Sequence, residues 1–264
     1  MVNALIGFSG FVGSALLKQT AFDSLYRSTD IGDIDGQSFD IVVCAGASAQ
    51  KWIANREPEA DRRKIEGLIM HLDTIQCKTF VLISTVDVFK TPVGVDECTP
   101  TEGSGNHAYG NNRRLLEEFV ESRFPSHLIV RLPGLVGPGL RKNVIFDLLN
   151  DNNLDVIESR SIFQFYPMVN LWHDIQTALF AGLGLVHLTA EPISVARISK
   201  LGFGKSFDHV MAGTPANYDM RTLHAQIFGA AGSYQYSARE TILSIRAYAQ
   251  SEPRKGQSEV GLRT

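Results

Sequence analysis

Residues 5–18 read LIGFSGFVGSALLK, and no other stretch constrains the fold as strongly. The apolar run Ala4–Ile6 enters a turn carrying Gly7, Gly10 and Gly13. A helical pattern (Val12, Ala15, Leu16) leaves it. A glycine turn between a buried strand and a helix lets the backbone approach a pyrophosphate. The first-turn amides lack partners there, and the helix dipole favours an anion. The spacing is G-x-x-G-x-x-G, not the more familiar G-x-G-x-x-G. Glycines also serve plain tight turns, and the chain has 23 of them. The strand before this triplet and the helix after it favour the nucleotide reading.

Downstream, apolar runs alternate with helical patterns. Strands are predicted at Val2–Ile6, Ser24–Arg27, Asp40–Ala45, Thr79–Ser84 and His127–Leu132, and helices at 12–20, 59–76 and 110–123. Apolar strands separated by helices imply a parallel sheet covered on both faces. The Asp30–Asp40 interval is too short for a strand–helix pair, so one crossover is abbreviated. After Pro138 a helix near 143–150, a polar turn at Asp151–Asp155, a strand near 154–158 and a helix from about Asp174 are predicted, with Asp174 as a helix cap. No Gly/Ser or Pro linker divides the chain. The expected division is a core over 1–140, a small lobe over 141–249 that can return to the core sheet, and a disordered polar tail over 250–264.

Two further segments carry chemistry. ISTVDVF (Ile83–Phe89) follows a buried strand, which puts Thr85 at a carboxyl edge, where open α/β sheets bind ligands. In AYGNNRRLLEEF (Ala108–Phe119), Tyr109 lies near a helix start with Arg113 four residues on, on the same face. A hydroxyl, a tyrosine and a cation make a proton-transfer set. The phenol's ordinary pKa of ~10 must fall for it to act as a base, and a neighbouring cation favours the phenolate. Read singly, Tyr109 and Arg113 also fit an ordinary helix surface.

Together these motifs resemble the extended short-chain dehydrogenase/reductases, the NAD(P)-dependent epimerase/dehydratase group. CAGA (Cys44–Ala47) is similar to that family's loop over the cofactor. RLPGLVGPG (Arg131–Gly139) is similar to its R-x-x-x-x-x-G-P segment beside the nicotinamide. The likeness spans roughly residues 2–175. It implies a Rossmann-type doubly wound parallel sheet with a small C-terminal substrate lobe. It also implies an NAD(P)-dependent oxidoreductase or epimerase acting on a hydroxyl or carbonyl carbon of a nucleotide-linked sugar.

In that frame Tyr109 is the acid/base, Thr85 bonds the same substrate oxygen, and Arg113 takes the place of the lysine that binds the nicotinamide ribose. Cofactor contacts are implied at Gly7, Gly10, Phe11, Val12, Gly13, Arg27, Asp33, Ile34, Cys44, Ala45, Gly46, Tyr109, Arg113 and Pro133. Substrate contacts are implied at Asp87 and at Asn143, which resembles an asparagine holding a diphosphate. Three positions depart from the pattern. Arg113 keeps the charge of lysine but not its capacity for proton relay. Val86 leaves only Asp87 of the acidic pair that dehydratases carry. KIEG (Lys64–Gly67) lacks the asparagine of N-x-x-G. A catalytically silent NAD(P)-binding regulator is therefore the alternative reading.

Arg27-Ser28-Thr29 after the second strand suits a 2′-phosphate and favours NADP over NAD. Asp30 could instead serve the ribose, and Asp33–Ile34 could be a plain turn. Phe163, Phe165, Tyr166 and Trp172 fit either the core or a sugar. His71, His107, His173 and His187 lack partners at metal-ligand spacing, so no metal is expected. The net charge of −3 and the absence of a basic cluster argue against nucleic acid. No apolar stretch reaches membrane-spanning length, and Cys44, Cys77 and Cys98 are scattered. A cytoplasmic protein with reduced thiols is expected. The apolar faces at 59–76 and 110–123 permit a homodimer.

Overall fold

The computed structural model describes residues 2–101 and 105–252. The core elements are β1 (Asn3–Ile6), α1 (Phe11–Leu17), β2 (Ser24–Tyr26), β3 (Ser38–Cys44), α2 (Lys51–Arg56), α3 (Pro58–Thr74), β4 (Gln76–Thr85), α4 (Ala108–Arg123) and β5 (His127–Leu132). Beyond them come α5 (Val144–Asn150), α6 (Leu171–Phe180), β6 (Leu185–His187), α7 (Val195–Ile198) and α8 (Ala238–Ser251). The strands form one parallel sheet in the order β6-β5-β4-β3-β1-β2. The interval before β3 is a single 3₁₀ turn, Ile31–Ile34. The chain steps outward from β1 to β2 and then crosses back to β3. The carboxyl ends of β1 and β3 therefore lie side by side, with Ile6 opposite Cys44. Such a reversal opens a crevice above the sheet.

Strand side chains alternate between two apolar layers. Ala4, Ile6, Val42, Phe80, Leu82 and Ile129 meet Ile65 and Leu72 of α3 and Leu116 and Val120 of α4. Leu5, Val43, Val81, Leu128 and Val130 meet Leu16 of α1 and Leu171, Ile175 and Ala178 of α6. Phe80 is fully buried and stacks on Phe124 with ring centroids 4.3 Å apart. Truncating Phe80 to alanine is expected to cost ~3–5 kcal/mol.

A third apolar cluster belongs to the later segment, where Ile145, Leu148, Ile198, Ile242 and Ile245 pack together. Val93–Val95 pairs with Asp219–Met220 and Gly134–Val136 with Phe165–Pro167, so this region interleaves with the first half of the chain.

Four sequence expectations change. Helix α2 was not anticipated. Residues 154–158 form no strand: Asn153 adopts a left-handed φ of 50°, and Leu154–Val156 closes as a 3₁₀ turn. Helix α6 starts at Leu171, one turn before Asp174, and its N-cap is Asn170. Asp174 is buried and accepts hydrogen bonds from Tyr166 (2.5 Å) and Tyr236 (2.9 Å), so it does not cap the helix. Gln250 and Ser251 belong to α8, which a Ser237/Glu240 capping box starts and buried Tyr248 anchors. Residues 253–264 of the expected tail lie outside the described residues.

Candidate active site

The glycine turn closes on the end of β3. Gly7 has φ +83°, and a Cβ there would stand 2.4 Å from the Ala45 carbonyl oxygen. A Cβ on Gly13 would stand 2.2 Å from the Gly7 oxygen. Neither position admits a side chain, because backbone and not a flexible group is in the way. Gly10 is the N-cap of α1 and supplies no side-chain cap to its first amides. Phe11 and Val12 pack their side chains on the core, so what they present to a ligand is N–H. The cradle is backbone throughout, as a pyrophosphate requires.

At the end of β2, Arg27 and Asp30 act together. The Arg27 Nε lies 3.3 Å from the Asp30 carboxylate, whose other oxygen accepts the Arg27 N–H at 2.6 Å. The Arg27 guanidinium stands 6.0 Å from the Phe8 ring of the glycine turn and is half-exposed. Asp33 is exposed, whereas Ile34 is wholly buried in the core and has no surface to offer an adenine. Cys44 is also wholly buried, and burial pushes its thiol up to about 11. Ala45 is half-buried and Gly46 exposed, while Pro133 is buried.

Helix α4 is pinned directly onto the loop after β4. A Cβ on Gly110 would lie 2.1 Å from the Asp87 carbonyl oxygen. Asn106 donates to the Asp87 and Val88 carbonyls at 2.9 and 3.0 Å, and the His107 ring nitrogen caps the Gly110 N–H at 3.0 Å. Asn55 of α2 accepts the Tyr109 N–H at 3.0 Å. These contacts place Tyr109 close enough to Thr85 for that hydroxyl to influence its ionisation. Lys64 is exposed, and Asn55 with Asp61 gives α4 the support missing from KIEG.

The Tyr109 pKa is raised, not lowered. Burial is the largest cause, and the neighbouring Asp87 charge adds to it. Arg113, Thr85 and Lys51 oppose it without prevailing. Arg113 lies with its guanidinium carbon 4.0 Å from the centroid of the Tyr109 ring. It pairs with buried Asp61 of α3, donates to the Ser48 carbonyl and is 3% exposed. Its charge is therefore applied from behind the ring, not from the cleft.

Sequence reasoning missed two members of this cluster. Lys51, at the start of α2, donates to Asp87 Oδ1 at 2.7 Å and to the Tyr218 hydroxyl at 3.2 Å. Burial disfavours its ammonium, but Asp87 and Tyr218 together more than offset that, so its pKa is raised. Tyr218 also donates to Asp87 Oδ1 at 3.2 Å. The position of Lys51 just after the CAGASAQ loop was the available signal for it. Tyr218 left no such signal, since only the fold returns it to this edge. His107 has a lowered pKa, through burial first and the Lys51 charge second, and is the neutral member.

Asn143 spends its side chain on local structure. It caps α5, accepting from the Ile145 and Phe146 amides at 3.0 and 3.3 Å, with φ 112°. Its amide donates to Leu135 O at 2.9 Å. Lys142 beside it donates to the Ala49 carbonyl at 2.6 Å. Ser84 faces inward, where its hydroxyl, Arg131 and Glu117 tie β4, β5 and α4 together. Among the described residues no cluster of three or more His, Cys, Asp or Glu could hold a metal ion. None of their helices is long and apolar enough to cross a membrane.

No family model matches the chain, and no curated protein does. Solved structures match it in fold over almost its whole length. The dTDP-4-dehydrorhamnose reductase of Bacillus anthracis, in complex with NADP, superposes with a TM-score of 0.70 at 15% identity, covering 96% of this chain and 100% of that one. The Bordetella bronchiseptica enzyme WbmG, in complex with NAD, gives 0.72 at 15%, covering 95% and 94%. The UDP-glucose 4-epimerase of Thermotoga maritima, with UDP-glucose, gives 0.62 at 13%, covering 95% and 98%. The chain has the α/β Rossmann-type fold of these enzymes, C-terminal region included.

Proposed function

We propose that the chain is an NAD(P)-dependent oxidoreductase or epimerase acting on a hydroxyl or carbonyl carbon of a nucleotide-linked sugar. The observation that carries this reading is Tyr109 at the start of α4, set against the loop that follows Thr85 at the carboxyl edge of β4, on the same edge of the sheet as the glycine turn. The fold neighbours include a reductase complexed with NADP, an enzyme complexed with NAD and an epimerase with UDP-glucose. The backbone cradle fits a dinucleotide: the first-turn amides of Phe11, Val12 and Gly13 would take the pyrophosphate, with the Gly10 amide held by the Gly7 carbonyl at 3.0 Å, and the backbone of Ala45 and Gly46 would line the next stretch. Arg27, half-exposed above Phe8, suits a 2′-phosphate and favours NADP.

The bound dinucleotide supplies hydride chemistry at a carbon. Tyr109 holds the proton at the partner oxygen, which Thr85 orients. Because the Tyr109 pKa is raised, the apoprotein carries the phenol, the form ready to donate in a reduction. Asp87 and Asn143 are the substrate contacts of this proposal. One observation favours the silent-binder reading: Arg113 is fully engaged with Asp61 and Ser48. Assays with NADPH and dTDP-4-dehydrorhamnose, and with NAD and UDP-glucose, separate the two readings. Turnover that Tyr109→Phe abolishes while nucleotide binding persists supports the enzyme. Nucleotide binding without turnover on either pair overturns it.

A further inference from the structure

A buried tyrosine that gives up its proton must regain one, and a nearby ammonium can supply it where a guanidinium cannot. Arg113 stands at the expected helical position but cannot serve. Its guanidinium is 3% exposed and faces the Tyr109 ring, Asp61 and Ser48. A guanidinium also keeps its protons throughout the accessible pH range. Arg113 acts on Tyr109 as a fixed charge.

Lys51 differs on each count. Its side chain is 37% exposed, and its ammonium is capable of exchange. Of its three donors, Asp87 and Tyr218 take two, which leaves one for solvent or ligand. Asp87 follows Thr85 by two residues, and its amide donates to the Thr85 hydroxyl at 3.2 Å. Three elements thus converge on one edge: α2 with Lys51, the β4 loop with Thr85 and Asp87, and the start of α4 with Tyr109. The charged and titratable groups facing Lys51 are Asp87, Tyr218, His107 and Tyr109. Those facing Tyr109 are Arg113, Asp87, Lys51 and His107, whose ring centroid lies 6.3 Å from that of Tyr109.

We infer that Lys51 is the exchangeable cation of this site and the proton source that restores Tyr109 after it donates, a role Arg113 has left empty. The inference rests on the oxidoreductase reading above. In a reduction the carbonyl carbon gains hydride, and its oxygen takes the Tyr109 proton, leaving a phenolate. The Lys51 ammonium then passes a proton to that phenolate through water in the cleft. The neutral amine regains a proton from bulk solvent. Only O–H and N–H bonds change in the reset, and Lys51 acts through Tyr109 without touching the reacting carbon.

The test follows Tyr109 in the full-length protein without cofactor, by NMR of ¹³C-labelled tyrosine. The Tyr109 signal is identified by its absence from Tyr109→Phe. Lys51→Met is expected to move the Tyr109 transition up by about 1 pH unit, as loss of a nearby cation requires. Lys51→Arg keeps the charge and is expected to leave the transition at or below its native position. An unmoved transition in Lys51→Met overturns the inference. An equal upward shift in both variants also overturns it, since that would report a structural disturbance. On whichever of dTDP-4-dehydrorhamnose with NADPH or UDP-glucose with NAD the native protein turns over, Lys51→Arg is expected to lose roughly 100-fold in kcat with KM for nucleotide unchanged. Native kcat in that variant overturns the proton-supply role. Absence of turnover by the native protein instead overturns the oxidoreductase reading.

Discussion

Tyr109 and Tyr166 are both buried, yet their surroundings have opposite charge. Tyr109 stands at the carboxyl edge of the sheet with Arg113 behind its ring and Lys51 nearby, both pulling its pKa down against burial and Asp87. Tyr166 lies under α6 with Asp174 and Tyr236 as neighbours. There burial raises its pKa first and the Asp174 charge raises it further, well above the ordinary value. Burial alone pushes every phenol toward its neutral form. The neighbours decide whether a buried tyrosine keeps a route to ionisation. Tyr109 has cations and an open edge; Tyr166 has a carboxylate that needs its proton.

The largest expected effect separates the two directly. Tyr109→Phe is expected to lower turnover by about 10²–10⁴-fold while leaving the urea midpoint near native. Tyr166→Phe is expected to keep turnover and lose ~1–3 kcal/mol of stability, because buried Asp174 loses a donor. Equal losses of turnover in both variants would end the contrast.

Next comes the ligand end of the Tyr109 site. Gly13→Ala forces a Cβ against the Gly7 carbonyl and is expected to weaken NADPH binding by at least ~10-fold in fluorescence titrations. The matching change under Tyr166 has no ligand to lose. Arg27→Ala sharpens the point: NADPH affinity is expected to fall about 10-fold, with NADH affinity nearly unchanged. Equal losses for both dinucleotides would remove the 2′-phosphate assignment.

The smallest effect concerns pH. Burial raises the Asp174 pKa above 3.8, against the hydrogen bonds from Tyr166 and Tyr236. The folded state therefore holds this proton more tightly than the unfolded chain. Its contribution is complete below the unfolded pKa and is lost as pH rises through the folded one. Asp174→Asn is expected to flatten that part of the stability–pH curve, by about 1 kcal/mol or less, in urea melts from acidic to neutral pH. A steeper curve in the variant would show that Asp174 is held as a stabilised carboxylate.

The parallel sheet, the abbreviated crossover before β3 and the glycine turn were all readable in the chain. Each depends on local pattern: apolar runs, a short interval, three glycines three apart. The start of α4 was readable for the same reason, since His107-Ala108-Tyr109-Gly110 leads into an amphipathic helix. The strand at 154–158 failed because two left-handed residues, Asp151 and Asn153, turn the chain, and a short apolar run cannot show that. Asp174 failed as a cap because helical pattern does not reveal which tyrosines will close over a carboxylate. Arg113 was correctly placed near Tyr109, but its commitment to Asp61 depends on α3 lying beside α4, which spacing along the chain does not encode.

The sequence by itself determined that this chain builds a parallel sheet with a phosphate-sized turn after β1 and a tyrosine at the start of the core helix that follows Thr85. Local propensity and glycine's lack of a side chain suffice for that. Only the tertiary structure brought a second cation, Lys51, to the edge where Tyr109 stands. Lys51 and Tyr218 lie far apart in sequence, and they meet at Asp87 because the later segment folds back over the sheet edge. Electrostatic neighbours are set by distance in space, and those distances exist only once the layers have packed.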